Sequence, residues 1–175
     1  MTDQLSPANQ HRAANVRLVV FDVDGVLTDG KLYYGSTGEA MKVFHVRDGA
    51  AIKQLLASGW QVAIVSGRSS AAVAQRASEL GITHVFQGVD DKPAALQELC
   101  KATALAPAQM AHVGDDEPDI GMFEAVGFAI AVADAAPAAL AAAHHVTRTP
   151  GGAGVAAEVC ALLRQASQDV PVGDR

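Results

Sequence analysis

Short unbroken apolar runs alternate with longer stretches in which apolar positions recur every three to four residues, from about residue 16 to residue 165. The first run, Arg17 to Phe21, has no polar residue after its arginine, as in a strand covered on both faces. Similar short runs predict strands at 61–65, 84–86, 110–113, 128–132 and 145–147. Helical spacing predicts helices at about 48–57, 69–80, 92–103, 117–125, 137–143 and 155–165, with Gly59 and Gly81 as stop signals. Residues 29–47 break the alternation. Turn signals at Asp29-Gly30 and Gly35-Ser36-Thr37-Gly38 surround β-prone pieces at 31–34 and 41–45, which predicts a hairpin. Strands alternating with helices predict an α/β fold with a doubly wound, mainly parallel sheet and a small β-hairpin insertion. Residues 1–15 and 167–175 are polar and read as flexible tails, leaving one domain over 16–166.

Composition narrows the class. A chain of 175 residues supports one domain with a proper core, and half of its residues are apolar. The formal net charge of -6 argues against broad binding to nucleic acid or anionic membranes. The N-terminal segment has no apolar core of a secretory signal. The most apolar later stretch, 125–143, is broken by Gly127, Asp134 and Pro137, so no membrane span is expected. Cys100 and Cys160 fall inside helical patterns with no metal-type spacing, which suits buried thiols in a reducing compartment. A cytoplasmic protein is the expectation.

The chemistry falls on strand ends. The run Val19-Val20-Phe21 stops in two carboxylates, Asp22 and Asp24, followed by Gly25, whose freedom lets the chain turn away. Two like charges at the end of a buried strand suit a divalent cation, with a carboxylate free to react with an electrophile such as phosphorus. Three further strand ends carry polar groups: Ser66-Gly67-Arg68, Asp90-Asp91-Lys92 and Gly114-Asp115-Asp116. Open α/β sheets bind ligands outside the carboxyl ends of their strands. Taken singly, Ser66 reads as a cap for the helix at Ser69, Lys92 as a solvated helix start, and Asp115 and Asp116 as turn and cap residues. Their convergence on one edge of the sheet argues for a site.

The motifs Asp22-Val-Asp-Gly-Val-Leu-Thr28, Ser66-Gly67, Lys92 and Gly114-Asp-Asp-Glu-Pro-Asp119, in this order, resemble the haloacid dehalogenase superfamily of phosphotransferases over about residues 16–165. The resemblance implies Asp22 as nucleophile, forming an aspartyl-phosphate beside Mg²⁺. It implies Asp24 as general acid and base, with its main-chain carbonyl on the metal. Ser66 and Gly67 would hold the transferring phosphoryl oxygens, and Lys92 would offset the charge of the phosphate and Asp22. Asp115 would be the remaining side-chain ligand. Asp116 and Asp119 would orient metal-bound waters or Lys92. An aspartate at position 24 implies phosphate-ester hydrolysis or phosphomutation.

Larger members of that superfamily insert a lid domain. Only 41 residues separate Asp24 from Ser66, and 25 separate Ser66 from Lys92, so neither gap holds one. An open site calls for a macromolecular substrate or a wall supplied by a neighbouring subunit. The acidic chain disfavours nucleic acid, and Tyr33 and Tyr34 on the hairpin suit a subunit contact. The lidless layout, with Phe44-His-Val-Arg-Asp-Gly49, Ser66-Gly-Arg68, Gly81-Ile-Thr-His84 and Ala131-Val-Ala-Asp134, is similar to the 3-deoxy-D-manno-octulosonate 8-phosphate phosphatase family. That resemblance implies hydrolysis of an eight-carbon acidic sugar phosphate in lipopolysaccharide precursor synthesis. It also implies a homotetramer with hairpins in a central barrel and active sites between subunits. It places His45, Arg47, Asp48, Gly49, Lys53, Arg68 and Arg76 around the substrate, together with Asp24, Gly67 and Lys92. Arg68 and Arg76 lie eight residues apart and can share a helix face.

Three positions depart from that family's pattern. Residues 151–158 carry no arginine, Glu117-Pro118 follows Asp116, and His45 stands where asparagine is common. The alternatives are a phosphatase for a nine-carbon sialic-acid-type 9-phosphate, a phospho-accepting signalling receiver, and a non-catalytic tetramerisation module. The receiver would take its acidic pair and its phosphorylated aspartate from different strands, unlike the pair after Phe21. The module would have lost an essential group, yet all are present.

Overall fold

A computed structural model describes residues 5–168. Six parallel strands form the sheet in the order β5-β4-β1-β6-β7-β8. They are β1 (Leu18–Phe21), β4 (Gln61–Ser66), β5 (His84–Gln87), β6 (Met110–Gly114), β7 (Phe128–Ala131) and β8 (His145–Val146). Every residue of β1 and β7 is fully buried, as their unbroken apolar runs require. Connecting helices are α2 (Val46–Ala57), α3 (Ala71–Leu80), α4 (Lys92–Thr103), α5 (Ile120–Ala125), α6 (Pro137–Ala142) and α7 (Val155–Gln168). Among the described residues no helix is long and apolar enough to cross a membrane.

Register fixes where the polar strand ends meet. Phe21 pairs with Ile64 on one side and with Val113 on the other. Asp22, Ser66 and Asp115 therefore emerge within a residue or two of one level. The chain winds outward from β1 through β4 to β5, then crosses back along α4 to β6 and outward to β8. The winding direction reverses beside β1, which opens a crevice at the carboxyl end of that strand.

Two segments differ from the sequence reading. The tail expected over 1–15 contains a helix, α1 (Pro7–Asn15), with Ser6 as its cap and Pro7 in its first turn. Only Ala13 of this helix is buried, so no apolar periodicity announces it. Side-chain donors fasten it instead: Asn9 Nδ2 to the His144 carbonyl at 2.6 Å, Arg12 Nη1 to Gly127 at 3.0 Å and Asn15 Nδ2 to Ala108 at 3.0 Å. At the other end α7 continues through Gln168, and the rest of the expected tail, 169–175, lies outside the described residues.

The hairpin is present, with β2 at Tyr33–Gly35 and β3 at Gly38–Met41. Its second strand lies earlier than the expected 41–45. Gly38, at φ +113°, follows Ser36 and Thr37 and shortens the turn. His45 then caps α2 through Nδ1, which accepts from Arg47 N at 3.2 Å, so residues 46 and 47 are helical.

Candidate active site

Asp22 follows β1 directly, with its main-chain N–H bonded to the Val113 carbonyl at 3.0 Å. Its Oδ1 accepts from Val23 N at 2.7 Å, and its Oδ2 lies 3.1 Å from Lys92 Nζ. Burial pushes the Asp22 carboxyl up and the neighbouring Asp119 charge adds to this, while the Lys92 ammonium pulls it down. Lys92 occupies the first turn of α4 and is buried despite its charge. Burial works against its ammonium, but Asp22 and Asp119 outweigh that and hold its pKa above the ordinary lysine value.

Asp119 ties the site together. Its Oδ1 accepts from Lys92 Nζ at 2.6 Å and lies 2.7 Å from His112 Nε2. Its Oδ2 accepts from the main-chain N–H groups of Asp115 at 3.0 Å and Asp116 at 3.3 Å. Burial opposes ionisation, yet the His112 hydrogen bond and the Lys92 charge hold this carboxyl well below the usual range. An ionised carboxylate only accepts, so His112 donates through Nε2–H. Gly114 leaves the space: a Cβ there would sit 2.4 Å from Asp119 Cγ. Asp116 is exposed and caps the short turn 117–119 by accepting from Glu117 N at 2.8 Å.

Asp115 faces the turn after β1. Gly25, at φ +89°, has no side chain where a Cβ would lie 2.0 Å from Asp115 Oδ2. Burial pushes the Asp115 carboxyl up to about 7, with the charges of Asp22, Asp119 and Asp116 pushing the same way. One oxygen from each of Asp22, Asp115 and Asp119 falls within 4.8 Å of the others. Three carboxylates against one ammonium is the donor set of a hard dication such as Mg²⁺. Asp119 spends its two oxygens on Lys92, His112 and two main-chain N–H groups, whereas Asp22 meets only Val23 N and Lys92, so Asp22 and Asp115 have more capacity left to bind one.

A brace holds the turn from behind. Gly152 N donates to the Val26 carbonyl at 2.9 Å, and Gly151 N donates to Asp134 Oδ1 at 2.9 Å. A Cβ at Gly151 would sit 1.9 Å from the Gly25 carbonyl oxygen. Gly151→Ala is expected to lower stability by about 2 kcal/mol through overpacking, read by urea denaturation. An unchanged urea midpoint would show that the brace yields freely.

Asp24 projects differently. Its Oδ1 accepts from Lys42 Nζ, and Arg68 Nε stands 3.7 Å from Oδ2. Ser66 ends β4 almost fully buried, with Oγ 3.4 Å from Arg68 N. Arg68 Nη2 donates to the Tyr34 hydroxyl at 2.9 Å, and Ser70 Oγ donates to Glu39. The hairpin is thus tied to the loop that carries Ser66, Gly67 and Arg68.

Comparison with known proteins fixes the family. The model for haloacid dehalogenase-like hydrolases matches residues 85–159. A 3-deoxy-D-manno-octulosonate 8-phosphate phosphatase of Yersinia pestis is 48% identical over 152 residues, 87% of this chain and 81% of that protein. This chain belongs to the 3-deoxy-D-manno-octulosonate 8-phosphate phosphatase family. The crystal structure of a Yersinia pestis phosphatase of that name matches with a TM-score of 0.91 at 45% identity, covering 94% of this chain and 89% of that one. A Moraxella catarrhalis phosphatase of that name, in complex with magnesium ion, phosphate ion and KDO, matches with a TM-score of 0.88 at 40% identity, covering 91% and 92%.

Within this family member the candidate residues divide into two groups. The fold brings Asp22, Asp24, Ser66, Gly67, Arg68, Lys92, Asp115 and Asp119 to the end of β1. His45, Asp48, Gly49 and Arg76 line a cavity with Leu27, Phe44 and Ile52. Gly49 makes room for Arg76, since a Cβ there would lie 2.2 Å from Nη2. Asp48 is buried and accepts from Ala157 N at 2.9 Å, which caps α7; burial pushes its carboxyl up. Arg47 and Lys53 are exposed on α2, and among the described residues no hydrogen bond or ion pair joins them or Arg76 to the carboxylate cluster. Two residues escaped the sequence reading. His112 is the one titratable group in the otherwise apolar strand before Gly114-Asp115, which is the signal that could have found it. Lys42 looks like part of a strand alternation, and nothing local marks it.

Proposed function

We propose that Asp22 is the nucleophile of a phosphatase that hydrolyses 3-deoxy-D-manno-octulosonate 8-phosphate to KDO and phosphate, a step in making lipopolysaccharide precursors. The observation that carries this is Lys92, held between Asp22 and Asp119 beside Asp115, with Asp24 following Asp22 by two residues. A buried lysine there both aims the Asp22 carboxylate and offsets the charge of an arriving phosphoryl group. Asp22 attacks phosphorus and the ester oxygen leaves with a proton from Asp24. Asp24 then takes a proton from the water that attacks the aspartyl-phosphate, and phosphate departs. Ser66 Oγ and the main-chain N–H of Gly67 hold phosphoryl oxygens. Asp22, Asp115 and the Asp24 carbonyl hold Mg²⁺, which neutralises the repulsion between carboxylate and phosphate. Asp116 and Asp119 keep the loop and Lys92 in place.

Arg68 reaches the sugar carboxylate from the same chain, since guanidinium suits planar anions. His45, Arg47, Asp48, Gly49, Lys53 and Arg76 complete the sugar site, with the exposed cations of α2 facing a neighbouring subunit. What supports a homotetramer is the apolar surface around the hairpin: Tyr34 is 61% exposed, Met41 55%, Val43 53% and Val46 77%. Several large apolar side chains exposed this close together in sequence suit a covered surface. The two free thiols suit a reducing compartment, and we place the reaction in the cytoplasm.

Initial rates on the eight-carbon ester and on a nine-carbon 9-phosphate, each with and without chelator, test this reading. Preference for the eight-carbon ester, lost on chelation, is expected. Preference for the nine-carbon ester would move the substrate assignment. The metal assignment has its own test. The pKa of about 7 at Asp115 lies above that of an unfolded aspartate, so ionising this group costs folding stability as pH climbs towards 7. Mg²⁺ needs the ionised form and must displace a proton below that value. Mg²⁺ is therefore expected to raise Tm more at pH 8 than at pH 6, and the reverse order would refute Asp115 as a ligand.

A further inference from the structure

Lys42 follows β3 directly, with its side chain only 3% exposed. A lysine is seldom buried unless its ammonium is paired. Its Nζ bonds Asp24 Oδ1 and lies 3.3 Å from Glu39 Oε2. Glu39 in turn accepts from Ser70 Oγ, next to α3. The ammonium is thus clamped between the hairpin and the turn after β1. On the opposite side of Asp24, Oδ2 is buried and has no hydrogen bond among the described residues. Arg68 Nε, at 3.7 Å, is near enough for charge attraction and too far to donate.

We propose that Lys42 is a positioning residue for Asp24, pinning one carboxylate oxygen so that the other is the atom that exchanges a proton with the leaving group and the attacking water. This deepens the hydrolytic reading above and rests on it. Proton transfer needs the acid within hydrogen-bond reach of the departing oxygen. With Lys42 gone, Asp24 can swing onto Arg68, whose fork pairs with both oxygens of a carboxylate. The carboxylate would then face the guanidinium and not the leaving oxygen. The hairpin thereby supplies part of the proton-transfer apparatus in addition to any subunit contact.

Leaving-group dependence separates this role from general damage. A sugar alkoxide needs a proton to depart, whereas nitrophenolate departs without one. Lys42→Met and Lys42→Gln are to be assayed for kcat/KM on 3-deoxy-D-manno-octulosonate 8-phosphate and on p-nitrophenyl phosphate, with folding followed by thermal melting. Both neutral variants are expected to lose about 100-fold on the sugar ester and less than about fivefold on the nitrophenyl ester. Lys42→Arg is expected to recover to within about tenfold of wild type on the sugar ester, because a cationic donor returns. Equal losses on the two esters, no loss on either, or failure of both neutral variants to fold would overturn the proposal. Wild-type protein inactive on the sugar ester would instead sink the hydrolytic reading itself, a distinct result.

Discussion

Asp22→Asn is expected to lower kcat by at least about a thousandfold on any phosphate ester while leaving the fold intact. The amide keeps the size of the carboxylate and can still accept from Val23 N, now at 2.7 Å from Oδ1. It cannot form a mixed anhydride with phosphate. Burial is the main reason the Asp115 carboxyl rises to about 7, and the substitution removes one of the three acids that add to it, so that carboxyl should come down part of the way. Stability near neutral pH is therefore expected to hold while turnover disappears. Steady-state rates with urea denaturation of the same sample check both halves. Residual turnover near wild type would remove Asp22 from the role of nucleophile.

Lys92→Met carries the second large effect, and here stability and activity fall together. Lys92 is 5% exposed and bridges Asp22, at 3.1 Å, and Asp119, at 2.6 Å. Methionine fills similar volume but leaves two buried carboxylates without their cation. Breaking a buried pair in this way costs about 3–5 kcal/mol. Removing the ammonium raises the folded-state pKa of both acids, so the penalty is full where they are ionised and shrinks as falling pH protonates them. Urea denaturation with chelator present should show a larger deficit against wild type at pH 7.5 than at pH 5.5. Turnover should fall by at least about a hundredfold, since the phosphoryl charge loses its nearest fixed cation. A deficit independent of pH would mean that Lys92 acts through packing alone.

The sheet was legible because parallel strands buried on both faces leave unbroken apolar runs. Leu18 to Phe21 and Phe128 to Ala131 could be little else. The site was legible because its groups sit where those runs stop, and register then fixes their convergence. What escaped notice shares a physical cause. Helix α1 is held by Asn9, Arg12 and Asn15 bonding distant carbonyls, and such long-range polar ties leave no periodicity. Lys42 reads as one more alternating residue, since its partner Asp24 lies 18 positions back along the chain. His112 is hidden by its own strand, whose apolar neighbours give no hint that Asp119 will fold back onto its ring. Asp48 was read only as a group near substrate, whereas one of its oxygens caps α7, which the spacing of residues 155–165 could not reveal.

The stereochemical course at phosphorus, followed with a chiral phosphorothioate ester and with the three oxygen isotopes divided between it and the water so that the thiophosphate released is itself chiral, tests most directly whether the carboxylate of Asp22 meets phosphorus before water does. Two successive in-line displacements, first by Asp22 and then by water, return the original configuration, so overall retention is predicted. Inversion would mean that water attacks the ester in a single step, with Asp22 reduced to holding the metal.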